Sequence, residues 1–262
     1  MMNLFIFLVT IFITTNTYSW TLNPSTAQGF NNNSIDIHVA NTDCSGAGFT
    51  TAKYTTLIRT AVKRFWNKVP TTSLYLNVKG INTSIDINGD NHTAALLKVP
   101  KNSILAGCND DADDFDDAGI LGSAQMSCTG GNCTAVLILN AHANSGLPGK
   151  SDEDLESIIA HEIGHAFGLG HSEFKHSLMY FSISGKYQRW LGMDDIDGVN
   201  YLYPTDSELD ILGLSVLGNC GAVASVPGAK KPTISSFLVS IFFGMLFIIL
   251  IYGIKNLFTA KR

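Results

Sequence analysis

A chain of 262 residues, 45% of them hydrophobic, is long enough to bury a substantial core. Its 22 acidic residues against 17 basic ones give a formal net charge of -5. That balance offers no cationic face broad enough to hold a phosphate backbone, so nucleic acid is excluded as a partner.

Apolar residues crowd both ends. Leu4–Ile13 is too short to span a bilayer comfortably and has the length of a signal-peptide core. Small and polar residues lead from it to Ser19, giving a signal peptide over 1–19 and a short N-terminal segment over 20–33. Met1, Met2 and Asn3 place no Lys or Arg ahead of the run, so an uncleaved anchor or a buried strand is the alternative.

One domain is expected over 34–204. Ile35, Ile37 and Val39 alternate with Asp36 and His38 at the period of a half-buried strand. Tyr54, Leu57, Ile58, Ala61, Val62, Phe65, Trp66 and Val69 then recur at helical spacing, with Thr50 or Thr51 as cap and Pro70 as the stop. Leu74, Leu76 and Val78 alternate in a second strand. Ile120–Ala124 and Ala135–Asn140 are further runs of strand length around a turn bounded by Cys128 and Cys133, and together these suggest a mixed sheet.

Five cysteines, Cys44, Cys108, Cys128, Cys133 and Cys220, suit an exported, oxidising setting and leave at least one unpaired. A local disulfide between Cys128 and Cys133 across a hairpin tip is the first expectation, and Cys44 with Cys108 the second. No Cys-x-x-Cys pair is present to build a thiolate metal site.

Leu155, Ile158, Ile159, Ile163 and Ala166 mark a second helix, capped by Ser151 or Asp152. Beyond Pro204 comes a spacer over 205–232 rich in Gly, Ser and Ala. An uncharged apolar segment over 233–254 and a short basic tail over 255–262 follow. That segment is long enough to cross a membrane as a helix, which with the signal peptide puts an anchored domain outside the cytoplasm. An apolar segment before a basic tail can equally be a sorting signal removed after export, leaving a secreted protein.

The second helix carries the chemistry. His161 and His165 stand four residues apart, on one helical face, where both imidazoles can meet one zinc ion; Glu162 sits beside the first of them, within reach of a water at that metal. Gly168 can adopt a left-handed conformation that ends the helix and turns the chain, so that His171 supplies a third nitrogen. Three ligands leave one position open for water or substrate, the mark of a catalytic rather than a structural zinc site.

His161–Ser172, reading HEIGHAFGLGHS, resembles the zinc-binding consensus of the metzincins, and the final serine that of the matrixins in particular. Ser177-Leu178-Met179-Tyr180 resembles the Met-turn, with Met179 as an apolar floor beneath the metal. Leu191–Tyr203 resembles the closing helix, in which Asp195 would accept hydrogen bonds from the Met-turn backbone. The likeness is dense over 161–204 and looser from Ser34 onward. It implies an α+β metzincin-like domain with a mixed, twisted sheet, an active-site helix and a closing C-terminal helix. It also implies a zinc-dependent endopeptidase acting on protein or peptide, with Glu162 as general base and Tyr180 near the oxyanion or merely packed.

The sequence departs from that family at several points. Asp116–Ala124 resembles the segment that helps bind a second, structural zinc, but Ser123 stands where a histidine is expected, so one catalytic zinc alone is expected. Asp110, Asp111, Asp113, Asp114, Asp116 and Asp117 could furnish oxygens for calcium or form a solvated acidic loop. Asp86, Asn88 and Asp90 resemble part of a calcium loop that lacks the later bidentate glutamate. No propeptide cysteine motif is seen, and whichever of Cys44 and Cys220 is unpaired could serve as a thiol ligand. A catalytically inactive zinc-binding adhesin and a metal-dependent amidase acting on cell wall are the rival readings.

Overall fold

Five strands assemble because their apolar residues can be covered on both faces. In chain order the elements are β1 (Trp20–Leu22), β2 (Ser34–Ala40), α1 (Thr51–Arg64), β3 (Tyr75–Asn82), α2 (His92–Leu96), β4 (Ser103–Asn109), β5 (Gly122–Thr129), β6 (Asn132–Asn140), α3 (Asp152–Phe167), β7 (Leu169–Ser172) and α4 (Met193–Leu202). This computed structural model describes residues 20–23, 28–111, 115, 119–183 and 188–205. The expected signal peptide, most of the spacer, the apolar segment, the basic tail and Cys220 lie outside them. Among the described residues no helix is long and apolar enough to cross a membrane.

The main sheet has the order β3-β2-β4-β6-β5, parallel throughout except for β5, which runs antiparallel to β6 at the edge. Alternation along the inner strands divides two cores. Ile35, Ile37, Ile104, Ala106, Ala135 and Leu137 share one with α1 and α3. Leu105, Val136 and Ile138 face Ile87, Ala95 and Val99 from the α2 side. Each large aliphatic side chain so buried contributes about 1.5–3 kcal/mol. The fold is the mixed α+β arrangement that the sequence implied.

Helix α1 begins where Thr50 accepts a hydrogen bond from the Lys53 N–H, and its buried face carries Tyr54, Leu57, Ile58, Ala61 and Val62. It packs against α3. The Trp66 indole, just past its end, donates to the Ala160 carbonyl at 2.9 Å, and Arg64 pairs with Glu156 at 2.9 Å. These contacts fix the height of the histidine-bearing turns of α3 above the sheet.

Two disulfides close the described cysteines. Cys128–Cys133 spans the β5–β6 turn, and Cys44–Cys108 ties the loop after β2 to β4. Cys44 is therefore no free thiol for a metal. The two loops differ in length, with separations of 64 and 5 residues, so the chain-entropy model gives the first about 4 kcal/mol and the second about 2. Equilibrium urea unfolding of the Cys44→Ser/Cys108→Ser and Cys128→Ser/Cys133→Ser variants is expected to show the larger loss for the former.

Candidate metal and catalytic site

Helix α3 starts at Ser151, whose hydroxyl accepts from the Asp154 N–H at 3.2 Å, while Asp152, Glu153 and Asp154 complement the positive end of its dipole. It stops at Gly168, whose φ of 122° is a region that side chains disfavour. The chain then turns directly into β7, which carries His171. The structure thus brings His161, His165 and His171 together, with one ligand atom from each lying within 4.8 Å of the others.

Their hydrogen bonds set the protonation pattern. His161 Nδ1 lies 2.8 Å from the Leu178 carbonyl and His165 Nδ1 lies 2.8 Å from the Leu169 carbonyl. A carbonyl only accepts, so each Nδ1 carries the proton and each Nε2 keeps a lone pair. The two Nε2 atoms face each other at 3.1 Å. Two lone pairs opposed at that distance repel, and a cation between them removes the repulsion, so this donor set fits a zinc ion. Burial lowers His165 to about 4 and also lowers His171, keeping both in the neutral form that can donate to a metal.

Glu162 is buried beside them, and loss of solvent pushes its carboxyl up to about 8. Met179 follows Leu178, whose carbonyl meets His161, and is buried at 1% exposure. Gly164 makes room for it, since a Cβ at that position would come within 2.4 Å of the Met179 sulfur. Asp195 secures the turn. Its carboxylate accepts from the Leu178 N–H at 2.6 Å, the Met179 N–H at 3.0 Å, the Gly192 N–H at 2.7 Å and the Ser177 hydroxyl.

A cleft of about 1130 Å³ opens over the site, bordered by Leu121, Ala124 and Gln125 beside the sheet edge and by Tyr180 and Phe181 opposite. Tyr180 packs its ring on Phe181 at 4.5 Å. Ser123 also lines this cleft. The Asp86–Asp90 oxygens are already engaged, because the Lys98 ammonium donates to the Asp86 carbonyl at 2.7 Å and to the Asp90 carboxylate. Most of the 112–118 acidic loop lies outside the described residues.

One contribution escaped the sequence reading. β1 pairs antiparallel with β7. Thr21 donates to the His171 carbonyl at 2.7 Å and Asn23 to the His165 carbonyl at 3.1 Å, while the Trp20 N–H donates to Asp194 at 3.1 Å. A three-residue strand shows no measurable periodicity, so only its partner could reveal it.

The matrixin family model matches residues 19–204, and the chain belongs to that family. It is 33% identical over 114 residues to metalloendoproteinase 2-MMP of Arabidopsis thaliana, covering 39% of this chain and 30% of that protein. To metalloendoproteinase 1-MMP of the same plant it is 32% identical over 173 residues, covering 63% and 43%. Rat stromelysin-2 is 48% identical over 59 residues, covering 21% and 12%. The chain thus spans less than half the length of these relatives.

Asp195→Asn keeps the shape but sets an amide N–H against backbone donors. A loss of roughly 3 kcal/mol is expected in urea unfolding. In metal-free protein, Glu162 holds a proton up to about 8, whereas an unperturbed glutamate loses it near 4.5. This contribution to stability is complete below 4.5 and lost as pH rises through 8. The lowered His165 acts oppositely, but its contribution is already complete above its ordinary value of 6.5. The metal-free melting temperature should therefore fall between pH 6.5 and 8, and Glu162→Gln should flatten that fall.

Proposed function

We propose that this chain is a zinc-dependent endopeptidase, with His161, His165 and His171 holding one zinc ion and Glu162 as general base. The observation that carries the proposal is the pair of Nε2 atoms opposed at 3.1 Å with their protons committed elsewhere, a third imidazole beside them and a carboxyl alongside. Bound there, zinc supplies Lewis acidity with one position left for the reacting groups.

The remaining work falls to the protein's own side chains. Glu162 takes a proton from the attacking water and passes it to the leaving amine; the positive charge of a resident ion opposes the burial that otherwise keeps this carboxyl protonated. Asp195, Met179 and Gly168 act as supports: the first fixes the turn, the second fills the floor, and the third aims His171. An extended peptide substrate lies along the free edge of β5, which borders the cleft and can pair with a backbone. In this reading the domain works after export, either anchored through the 233–254 segment or released after tail processing.

Metal analysis together with cleavage of a denatured protein tests the reading. Glu162→Ala should keep about one zinc per chain and lose about 10²–10⁴-fold in turnover, whereas His171→Ala should lose zinc. Zinc retained without cleavage by the parent would favour the inactive adhesin, or the cell-wall amidase should peptidoglycan be hydrolysed instead. A folded parent that takes up no zinc would refute the proposal.

A further inference from the structure

The cleft over the three imidazoles is walled mainly by uncharged side chains. Among the described residues that line it, Lys150 is the one basic side chain apart from the histidines, and Glu162 is the one acid. No carboxylate among the described residues lies within ion-pair distance of the Lys150 ammonium. Two acids that follow it in the chain are engaged elsewhere: Asp152 pairs with Lys53, while Asp154 accepts from the Ser151 hydroxyl at 2.8 Å and pairs with Arg189 at 3.3 Å. Lys150 therefore brings a positive charge to the cleft that these neighbours do not neutralise.

Its position is fixed by the local fold. The Lys150 N–H donates to the Leu147 carbonyl at 3.2 Å, Gly149 before it turns through a φ of 80°, and Ser151 after it caps α3. The same loop packs on the residue that leads into β5, since a Cβ at Gly146 would come within 2.9 Å of the Leu121 side chain. Lys150 thus belongs to the end of the cleft where β5 starts, beside the strand that borders the proposed substrate path. Counted along α3 at about 1.5 Å per residue, Lys150 lies about 16 Å from His161. An extended peptide covers that distance in about five residues, and the reach of the lysine stem and of an acidic side chain shortens it by about one to three.

We propose that Lys150 is a specificity-determining residue: it selects peptide substrates that carry an aspartate or glutamate about two to four residues from the cleaved bond, on the side lying toward the start of β5. The inference rests on the endopeptidase reading and names the substrate class of the same site. The ammonium pairs with the incoming carboxylate in a cleft that Ile120, Leu121 and Ile158 also line, where solvent screens the pair less than on an open surface. A glutamine of the same shape leaves the lysine without a charged partner, and that difference discriminates between the two.

Paired peptides test this, one of each pair carrying a single glutamate and the other a glutamine, at successive positions on either side of the cleaved bond. The parent is expected to show kcat/KM about fivefold higher for glutamate within that window on one side, and a ratio of about 1 on the other. Lys150→Ala should bring the ratio to about 1, Lys150→Glu should invert it, and added salt should shrink it in the parent. Each ratio compares two peptides on one enzyme, so partial unfolding of a variant cancels. The same pairs bound to Glu162→Ala, with and without Lys150→Ala, and followed by fluorescence anisotropy, read recognition without cleavage. A parent that cleaves both peptides equally at every position, or a glutamate preference that survives Lys150→Ala, overturns the proposal and leaves the endopeptidase reading standing. A Lys150-dependent preference in binding by a chain whose parent cleaves neither peptide keeps the selection by Lys150 and sinks the endopeptidase reading; no preference in binding overturns the selection whatever the activity.

Discussion

Two imidazole nitrogens, each with its lone pair aimed at the other, are held 3.1 Å apart by carbonyl groups that bind the opposite side of each ring. Left alone that arrangement is repulsive, and the rest of the structure prevents it from relaxing. The Leu178 carbonyl can hold His161 only while the turn containing it stays in place, and that turn is held by the buried carboxylate of Asp195. The Leu169 carbonyl can hold His165 only because the helix ends at Gly168 and the chain doubles back. Helix α4, which carries Asp195, is in turn fastened through Tyr203 to the last turn of α3. A closed circuit of hydrogen bonds thus runs from the site through the closing helix and back, and the geometry of the candidate metal ligands is its product.

The sheet contributes rigidity more than chemistry. With both faces covered, β2, β4 and β6 cannot shift without opening one of two cores, so β5 is a fixed rail for the cleft. The 64-residue disulfide joins the loop before α1 to β4, so the first helix and the centre of the sheet are tied covalently as well as by packing. The opposite wall is built from short segments, β1 against β7 and the 180–183 stretch, whose side-chain bonds run to backbone carbonyls of the metal-ligand candidates. One side of the cleft is therefore set by the core and the other by the site itself.

What the sequence made legible follows from which signals are local. The spacing of His161, Glu162, His165, Gly168 and His171 encodes one helical face and one turn, both short-range geometries, and the structure places these residues together. The stripe of α1, the cap at Ser151 and the Cys128–Cys133 hairpin tip are local in the same sense. The central strand β4 escaped because Ser103–Asn109 is buried at every position and so has no alternation to read. β1 and α2 escaped because three and five residues are too few to establish a period.

Glu162 is where the competing demands meet. Burial strengthens electrostatic interactions around Glu162, yet the same burial favours the protonated form of the group proposed to act as base. Three neutral imidazoles cannot offset this, because they bring no charge of their own. A divalent cation held among them would, and the candidate ligands and the proposed base would then be coupled through the ion rather than through each other.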